Sequence, residues 1–327
     1  MKYTSIQIFR MEKYMKFISE LQADEKIVTH YLCKQKQSLK TRSGKTYLSL
    51  KLQDKTGVID GKVWELNNDI QSFEENDYIK IDAIVLTYQN ELQLKITKIR
   101  KSREGEYYPQ DYIPTTDKDI ESLYKQLLDY IKSIQNPFIK QLLNNILVKD
   151  EKITSAFKVR SAAKQMHHSY MGGLLEHTLN VVQICDFLAD FYRSANRDIL
   201  LCTAMLHDIG KVYELTDFPS NEYTDDGQLL GHLVMGAQMI KDEASRIPEF
   251  PHALSSLLQH SILSHHGEYE YGSPKRPKTI EAFILHMADD LDAKVKMLED
   301  AIDNNNTVGS WIGFQKMLQR NIRRSNF

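Results

Sequence analysis

Cysteine is scarce. The chain of 327 residues has three, Cys33, Cys185 and Cys202, an odd number set far apart. That excludes a disulfide framework and leaves reduced core thiols, as in a cytoplasmic protein. Apolar runs long enough to cross a bilayer are missing too, and near the start Arg10, Glu12, Lys13 and Lys16 interrupt what a signal peptide would need. No membrane partner is expected. Charge of one sign is equally lacking: 42 lysines and arginines face 44 aspartates and glutamates, a formal net charge of −2. Any grip on a polyanion must therefore come from local patches. There is no internal repeat, and low complexity is confined to "DNNNT" near Asn305.

What is present divides the chain in two, as its length leads one to expect. From Glu25 to Arg103 apolar residues alternate with polar ones. "KTYLSLKLQD" sets Tyr47, Leu48, Leu50 and Leu52 among polar neighbours, and "DKTGVIDGKVWE" turns at Lys55-Thr56-Gly57 into a strand with Val58, Val63 and Trp64. "DYIKIDAIVLTYQNELQLKITKIRK" gives two strands joined near Gln89-Asn90. Four or five short strands over residues 25–103 predict a small OB-type β-barrel. Residues 1–24 read as a leader, with Met11 and Met15 as further candidate starts. Residues 104–117, with turn formers around Pro109 and Pro114, read as a linker, and Thr116 or Asp117 is expected to cap the next helix.

From 118 to 327 the spacing turns helical, as in "IESLYKQLLDYIKSI", "LLEHTLNVVQICDFLADFY", "ALSSLLQHSILSHH" and "AFILHMADDLDAKVKML", and predicts an all-α bundle. The C-terminal "SWIGFQKMLQRNIRR" is amphipathic and basic. It is expected to be a helical extension that packs through Trp311 and Phe314, with RNA binding as the alternative.

Histidine is abundant where cysteine is not. Of eleven, only His30 lies in the β half. Donor groups follow in order: His177 in "GGLLEHTLNV", His207-Asp208 in "LHDIGKVYE", His232 in "GHLVMGA", His265-His266 in "LSHHGE" and Asp289 in "LHMADDLDA". A divalent first-row ion needs nitrogen and oxygen donors converging from separate helices. The groups lie roughly 23 to 33 residues apart, about one helical hairpin, so each can return to the same end of a bundle. Neighbours on a regular helix point about 100° apart, so the two adjacent pairs are expected at helix ends, flanking one ion or serving two. Asp208 suits a carboxylate shared between two ions, an arrangement that clamps the attacking and leaving oxygens of a phosphoryl transfer. His286, three residues before Asp289 on one helix face, reads as packing or support for a ligand, with ligation as the alternative, and Asp290 and Asp292 read as helix surface or support.

His177, His207-Asp208 and Asp289 match the H…HD…D signature of the HD-domain metal-dependent phosphohydrolases, and His232 with His265-His266 matches the further ligands of binuclear members. With a small barrel in front, and with "HHSYMGGLLEHTLNV" and "LHMADDLDAK", the chain resembles the YhaM-type 3′-to-5′ exoribonucleases over nearly its whole length. The resemblance implies one metal on His177, His207, Asp208 and Asp289, and a second on Asp208, His232, His265 and His266. It implies catalytic roles for Asp208 and Lys211, the lysine lying near the scissile phosphate. The implied activity is hydrolysis of single-stranded RNA, or single-stranded DNA, from the 3′ end, with a metal-activated water as nucleophile; no oligomeric state is implied. Mixed imidazole and carboxylate donors suit Mn²⁺, with Fe²⁺ or another first-row ion as alternatives, better than Mg²⁺ alone. A phosphodiesterase of small or cyclic nucleotides would use the same ligands but leave the barrel without a task. A non-catalytic RNA-binding protein would explain the barrel but not the ligands.

Candidate substrate contacts are of two kinds. Lys36 and Lys45 belong to a basic run from Lys34 to Lys62 interleaved with Tyr31, Tyr47 and Trp64, the composition of a surface that tracks a backbone and stacks bases. The alternative for Tyr47 and Trp64 is core packing. In the helical half, Arg160, His167 and His168 precede two glycines, Gly172 and Gly173, which allow close approach of a phosphate or simply a helix start.

Overall fold

The structure, a computed structural model, describes residues 16–325 except 90, 164–167, 169, 304 and 306–308. His167, Asn90, Met11 and Met15 thus lie outside the described residues. The chain divides after Thr115 into two compact units.

The first unit is a closed five-stranded barrel in the order β1-β2-β3-β5-β4. Its strands are β1 (Lys26–Lys40), β2 (Thr46–Asp54), β3 (Gly57–Val63), β4 (Tyr78–Tyr88) and β5 (Glu91–Lys101). Strand β1 serves two neighbours. Its first half pairs with β4 and its second with β2, and the irregularity between Cys33 and Gln35 lets one strand bend around the barrel corner. The parallel pairing of β3 with β5 closes the ring. Alternation then sorts side chains: Leu48, Leu50 and Leu52 of β2 point into the core with Tyr31, Ile79, Ile81 and Leu94, while Lys51 points out.

Two expected boundaries move. The described end of the supposed leader belongs to the barrel: Leu21 is buried in its core, the Lys16 amide donates to Thr29 Oγ1 (3.1 Å), and the Tyr31 hydroxyl donates to the Lys16 carbonyl (3.0 Å). The supposed linker is also packed. Tyr112 and Ile113 are buried, Tyr107 stacks on Tyr78 at 4.1 Å, and Arg100 clasps Glu106 at 2.7 and 2.8 Å. Aromatic burial outweighs the turn-forming composition there. The helix cap moves as well: Asp119, not Thr116 or Asp117, accepts from the Ser122 amide (2.8 Å).

The second unit contains α1 (Ile120–Ser133), α2 (Pro137–Asn144), α3 (Glu151–Val159), α4 (Gly173–Phe191), α5 (Arg197–Leu206), α6 (Lys211–Glu214), α7 (Asp225–Leu229), α8 (Gly231–Arg246), α9 (His252–Ser264) and α10 (Ile280–Asp303). Helix α4 is buried almost all round its first three turns and is packed by α5 and α10, so it forms the centre of the bundle. Cys185 and Cys202 sit in this core as small apolar side chains, and burial pushes both thiols far up.

The C-terminal stretch is not a helix. It forms a hairpin of β6 (Trp311–Gln315) and β7 (Arg320–Arg323), with Ile312 and Ile322 buried and Trp311 and Phe314 60% and 63% exposed. Gly309 and Gly313 at positive φ, with β-branched and aromatic residues between, favour the ribbon over a helix. The expectation that Trp311 and Phe314 pack the bundle is therefore overturned.

Candidate metal centre

Helix ends position the donors. Helix α5 stops at Leu206, so His207 and Asp208 occupy the turn that follows; α9 stops at Ser264, and His265-His266 follow it. His177 projects from α4, His232 from the first turn of α8 and Asp289 from α10. Gly210 is what lets α8 come close. A Cβ there would lie 2.2 Å from the His232 carbonyl oxygen, so only glycine permits the approach that sets His232 beside Asp208. Gly173 has a similar role: its Cβ would lie 2.1 Å from the His168 carbonyl oxygen. The close approach that Gly173 allows is to the chain's own backbone, and that at Gly172 is to the Thr116 and Ile120 side chains.

The donor atoms converge. His177 Nε2 and His207 Nε2 are 3.1 Å apart, and Asp289 Oδ1 lies 3.1 Å from the first and 3.8 Å from the second. Asp208 faces both ways. Its Oδ2 is 3.3 Å from His207 Nε2 and 3.6 Å from His177 Nε2, while its Oδ1 is 3.5 Å from His232 Nε2 and 3.8 Å from His265 Nε2. His266 joins His232 and His265 in a further cluster. With metal–ligand bonds of about 2.0–2.2 Å, two donors of one ion stand ~3–4 Å apart, as these do.

The imidazoles are held in one orientation. Nδ1 donates to the Ala204 carbonyl in His207 (2.9 Å), to the Ile262 carbonyl in His265 (2.8 Å), to the Tyr271 carbonyl in His266 (3.1 Å), to Glu214 in His232 (2.9 Å) and to Asp292 in His177 (2.7 Å). Each Nε2 is left to face inward, the arrangement that outer partners impose on metal-binding histidines. Asp208 Oδ1 and His232 Nε2 are buried without a hydrogen-bond partner. Such orphans cost about 1–3 kcal/mol each, and a cation between them would satisfy both. The residues fit a divalent metal.

The electrostatics agree. Burial raises the carboxyl of Asp208, but the Lys211 and His207 charges hold it well below the usual carboxylate range; burial likewise opposes Asp289, and His177 and His207 hold it down. Burial would depress His177, yet hydrogen bonds to Asp289 and Asp292 raise it to about 9, so this point of the pocket favours positive charge. Burial, with His266 and His207 nearby, pushes His265 well down, keeping an imidazole lone pair available. Lys211 Nζ is 2.6 Å from Asp208 Oδ2 and stays charged because that carboxylate overcomes burial. A cavity of about 1290 Å³ opens on these groups, lined among others by His177, Asp208, Lys211, His232, His265 and Asp289.

Of the other residues singled out from the sequence, His286 and Asp290 line the same cavity, and His168 and Arg160 do not. His168 is buried and bridges Asp292 (3.1 Å) and the Tyr170 hydroxyl (2.7 Å), so it supports His177 from behind and does not face the cavity. Arg160 is buried with Nη1 2.8 Å from Asp217 Oδ1, away from the cavity lining. His286 donates from Nδ1 to the His265 carbonyl (2.8 Å), and Asp290 pairs with Lys294 (2.7 Å). The sequence reading missed Glu214, which takes both the Nδ1–H and the backbone N–H of His232 at 2.9 Å. Its signal was a carboxylate at the end of "HDIGKVYE". Asp292, whose sequence position suits helix surface and support equally, accepts from His177 and from Asn180 (3.0 Å), as its spacing of three from Asp289 on α10 allows.

On the barrel, Tyr47 and Trp64 stack on each other at 4.7 Å, with Trp64 39% exposed, so neither is core. Lys45 is exposed, 3.8 Å from Glu65. Lys36 is engaged with the Phe73 carbonyl and Glu74 and lies over the Phe73 ring.

Comparison with known proteins agrees with this architecture. Residues 174–294 match the HD domain family, and residues 33–101 match an OB-fold nucleic acid binding domain family. The 3′-5′ exoribonuclease YhaM of Geobacillus sp. (strain WCH70) is 34% identical over 290 residues, 88% of each chain. Among solved structures, the second OB-fold domain of replication protein A from Methanococcus maripaludis matches 26% of this chain and 92% of its own at 22% identity and a TM-score of 0.22. The HD domain of the L. monocytogenes phosphodiesterase PgpH matches 50% of this chain and 74% of its own at 20% identity and a TM-score of 0.27. Barrel, helical unit and full-length similarity together make this chain a member of the YhaM family of 3′-5′ exoribonucleases, an OB fold followed by an HD domain.

Proposed function

We propose that this chain hydrolyses phosphodiester bonds of single-stranded RNA from the 3′ end, at a centre that holds two divalent first-row ions, Mn²⁺ before Fe²⁺. The observation that carries the reading is Asp208, whose two oxygens face different donor groups, one of them without a hydrogen-bond partner. His177, His207, Asp208 and Asp289 would hold one ion, and Asp208, His232, His265 and His266 the other. Ions so held would supply Lewis acidity toward the phosphoryl oxygens and lower the pKa of a water.

The chain's own groups do the rest. Asp208 fixes the spacing of the two donor sets, and Glu214 and Asp292 keep His232 and His177 from rotating. Lys211 keeps its charge and neutralises negative charge growing on the phosphoryl oxygens. The cavity exceeds the roughly 300–1,000 Å³ usual for a small ligand, which favours a polymer over a mononucleotide. The barrel, with Tyr47, Trp64 and Lys45 at its surface, suits single-stranded RNA, and single-stranded DNA by the same contacts.

The test is a time course with 5′-labelled single-stranded RNA, with Mn²⁺ or with chelator, on a denaturing gel. A ladder that shortens stepwise only with metal is expected. RNA left intact in every divalent ion, with binding retained, would contradict the reading.

A further inference from the structure

The C-terminal hairpin is fixed at its base and exposed on its outer surface. A lone two-stranded ribbon is marginal in water, but here Ile312 and Ile322 are buried, the Asn305 amide donates to the Ile312 carbonyl (3.1 Å), and the Arg324 guanidinium reaches the carbonyls of Ile302, Asn305 and Gly309. The hairpin is thereby tied to the end of α10, the helix that carries Asp289. Its turn, from Gln315 to Leu318, lines the same cavity as Asp208, Lys211 and the histidines.

The exposed side chains have one chemistry. Trp311, Phe314 and Met317 are 60%, 63% and 63% exposed. Lys316, Arg320 and Arg323 are exposed, and none is ion-paired among the described residues. Residues 309–325 contain no acid. Apolar burial inside the protein does not account for this surface, since the ribbon buries its isoleucines and leaves its aromatics outside. Flat apolar faces among unpaired cations complement a strand of bases on a phosphate backbone.

We propose that this hairpin is a second single-strand-binding surface, which grips the nucleotides just 5′ of the one being removed. It rests on the exonuclease reading and adds to it where the strand runs on leaving the metal cavity. Bases stack on Trp311 and Phe314, and Lys316, Arg320 and Arg323 neutralise phosphates. A substrate too short to reach the hairpin gains nothing from it.

The experiment compares the full-length chain with Trp311→Ala/Phe314→Ala and with Lys316→Gln/Arg320→Gln/Arg323→Gln. Binding of a labelled dodecanucleotide RNA is measured by anisotropy in chelator, and cleavage of that RNA and of a dinucleotide is measured in Mn²⁺. The aromatic variant should bind the longer RNA about five- to a hundredfold more weakly, with a matching fall in its preference for the longer RNA over the dinucleotide. The charge variant should lose about two from the salt slope of binding. Trp311→Phe, which keeps a stacking face, should recover most of the affinity. Wild-type affinity and length preference in both variants would overturn the proposal, and a shift in molar mass without a change in RNA binding would assign the surface to a second copy of the chain instead. If wild-type protein binds the RNA but cuts neither substrate, the exonuclease reading fails, while the anisotropy still decides the hairpin.

Discussion

In the helical unit the groups that carry chemistry are buried or nearly so, and each is held by a second group; in the barrel the candidate groups lie half-buried or exposed at the surface, with fewer contacts to hold them. His207, His265 and His177 each have Nδ1 tied to a carbonyl or a carboxylate and Nε2 turned inward. Tyr47 instead rests on Trp64, and Lys36 on the Phe73 carbonyl. The difference follows from the task. A metal site needs desolvated donors at fixed distances, and fixing them takes packing on every side. A strand-binding surface needs charge and flat faces within reach of solvent, where any one contact is weak and replaceable.

Substitutions can break this contrast. The largest effect is expected at Asp208. In Asp208→Asn the amide offers one ligating oxygen in place of two and cannot bridge, so RNA turnover should fall about a thousandfold or more, while RNA affinity measured in chelator stays within about threefold. Equal losses in both would erase the distinction between cutting and holding. Asp292→Asn comes next. It weakens the partner that orients His177, and a Mn²⁺ titration of activity should show roughly 10- to 100-fold weaker metal dependence; an unchanged titration would make Asp292 mere helix surface.

Smaller effects belong to the barrel. Trp64→Ala removes a stacking face and should weaken RNA binding by about five- to twentyfold, with kcat at saturating RNA unaltered in rapid-quench assays. His30 sharpens the contrast from the other side, as a buried histidine outside any donor cluster among the described residues. Its Nδ1 meets the Ser102 hydroxyl (2.8 Å), and burial, then the Lys80 charge, push it from 6.5 down to about 4. The unfolded chain binds that proton at higher pH than the folded one, so the barrel keeps its full stability above 6.5 and loses it as pH falls toward 4. The loss is about 2–3 kcal/mol. Melts followed by Trp64 fluorescence in a Trp311→Phe background should show this slope, and His30→Gln should flatten it. A slope that survives His30→Gln would place the titration elsewhere.

Much of the helical site was legible because burial leaves a pattern. His207-Asp208 and His265-His266 each follow an apolar helical run, and adjacent donors are geometrically useful only where a helix stops. Asp292 and Glu214 were harder to read. A carboxylate that supports an imidazole has the same sequence appearance as one on a solvated face, and only the fold shows what it meets. The hairpin was misread because Trp311, Phe314 and the arginines recur at a spacing that suits a helix as well as a ribbon, and the left-handed backbone at Gly309 and Gly313 settles the choice. Tyr112 and Ile113 were hidden among turn formers, where composition says nothing about burial.

The proposed binuclear centre depends on Asp208 joining the two donor sets. Elemental analysis of the full chain after equilibration with Mn²⁺ and removal of free ion tests it most directly, with circular dichroism to confirm that Asp208→Asn is folded. Two ions per chain are expected in the unaltered protein, with the loss of most of both in the variant. A single ion per chain, or two ions that both remain when Asp208 is replaced, would contradict it.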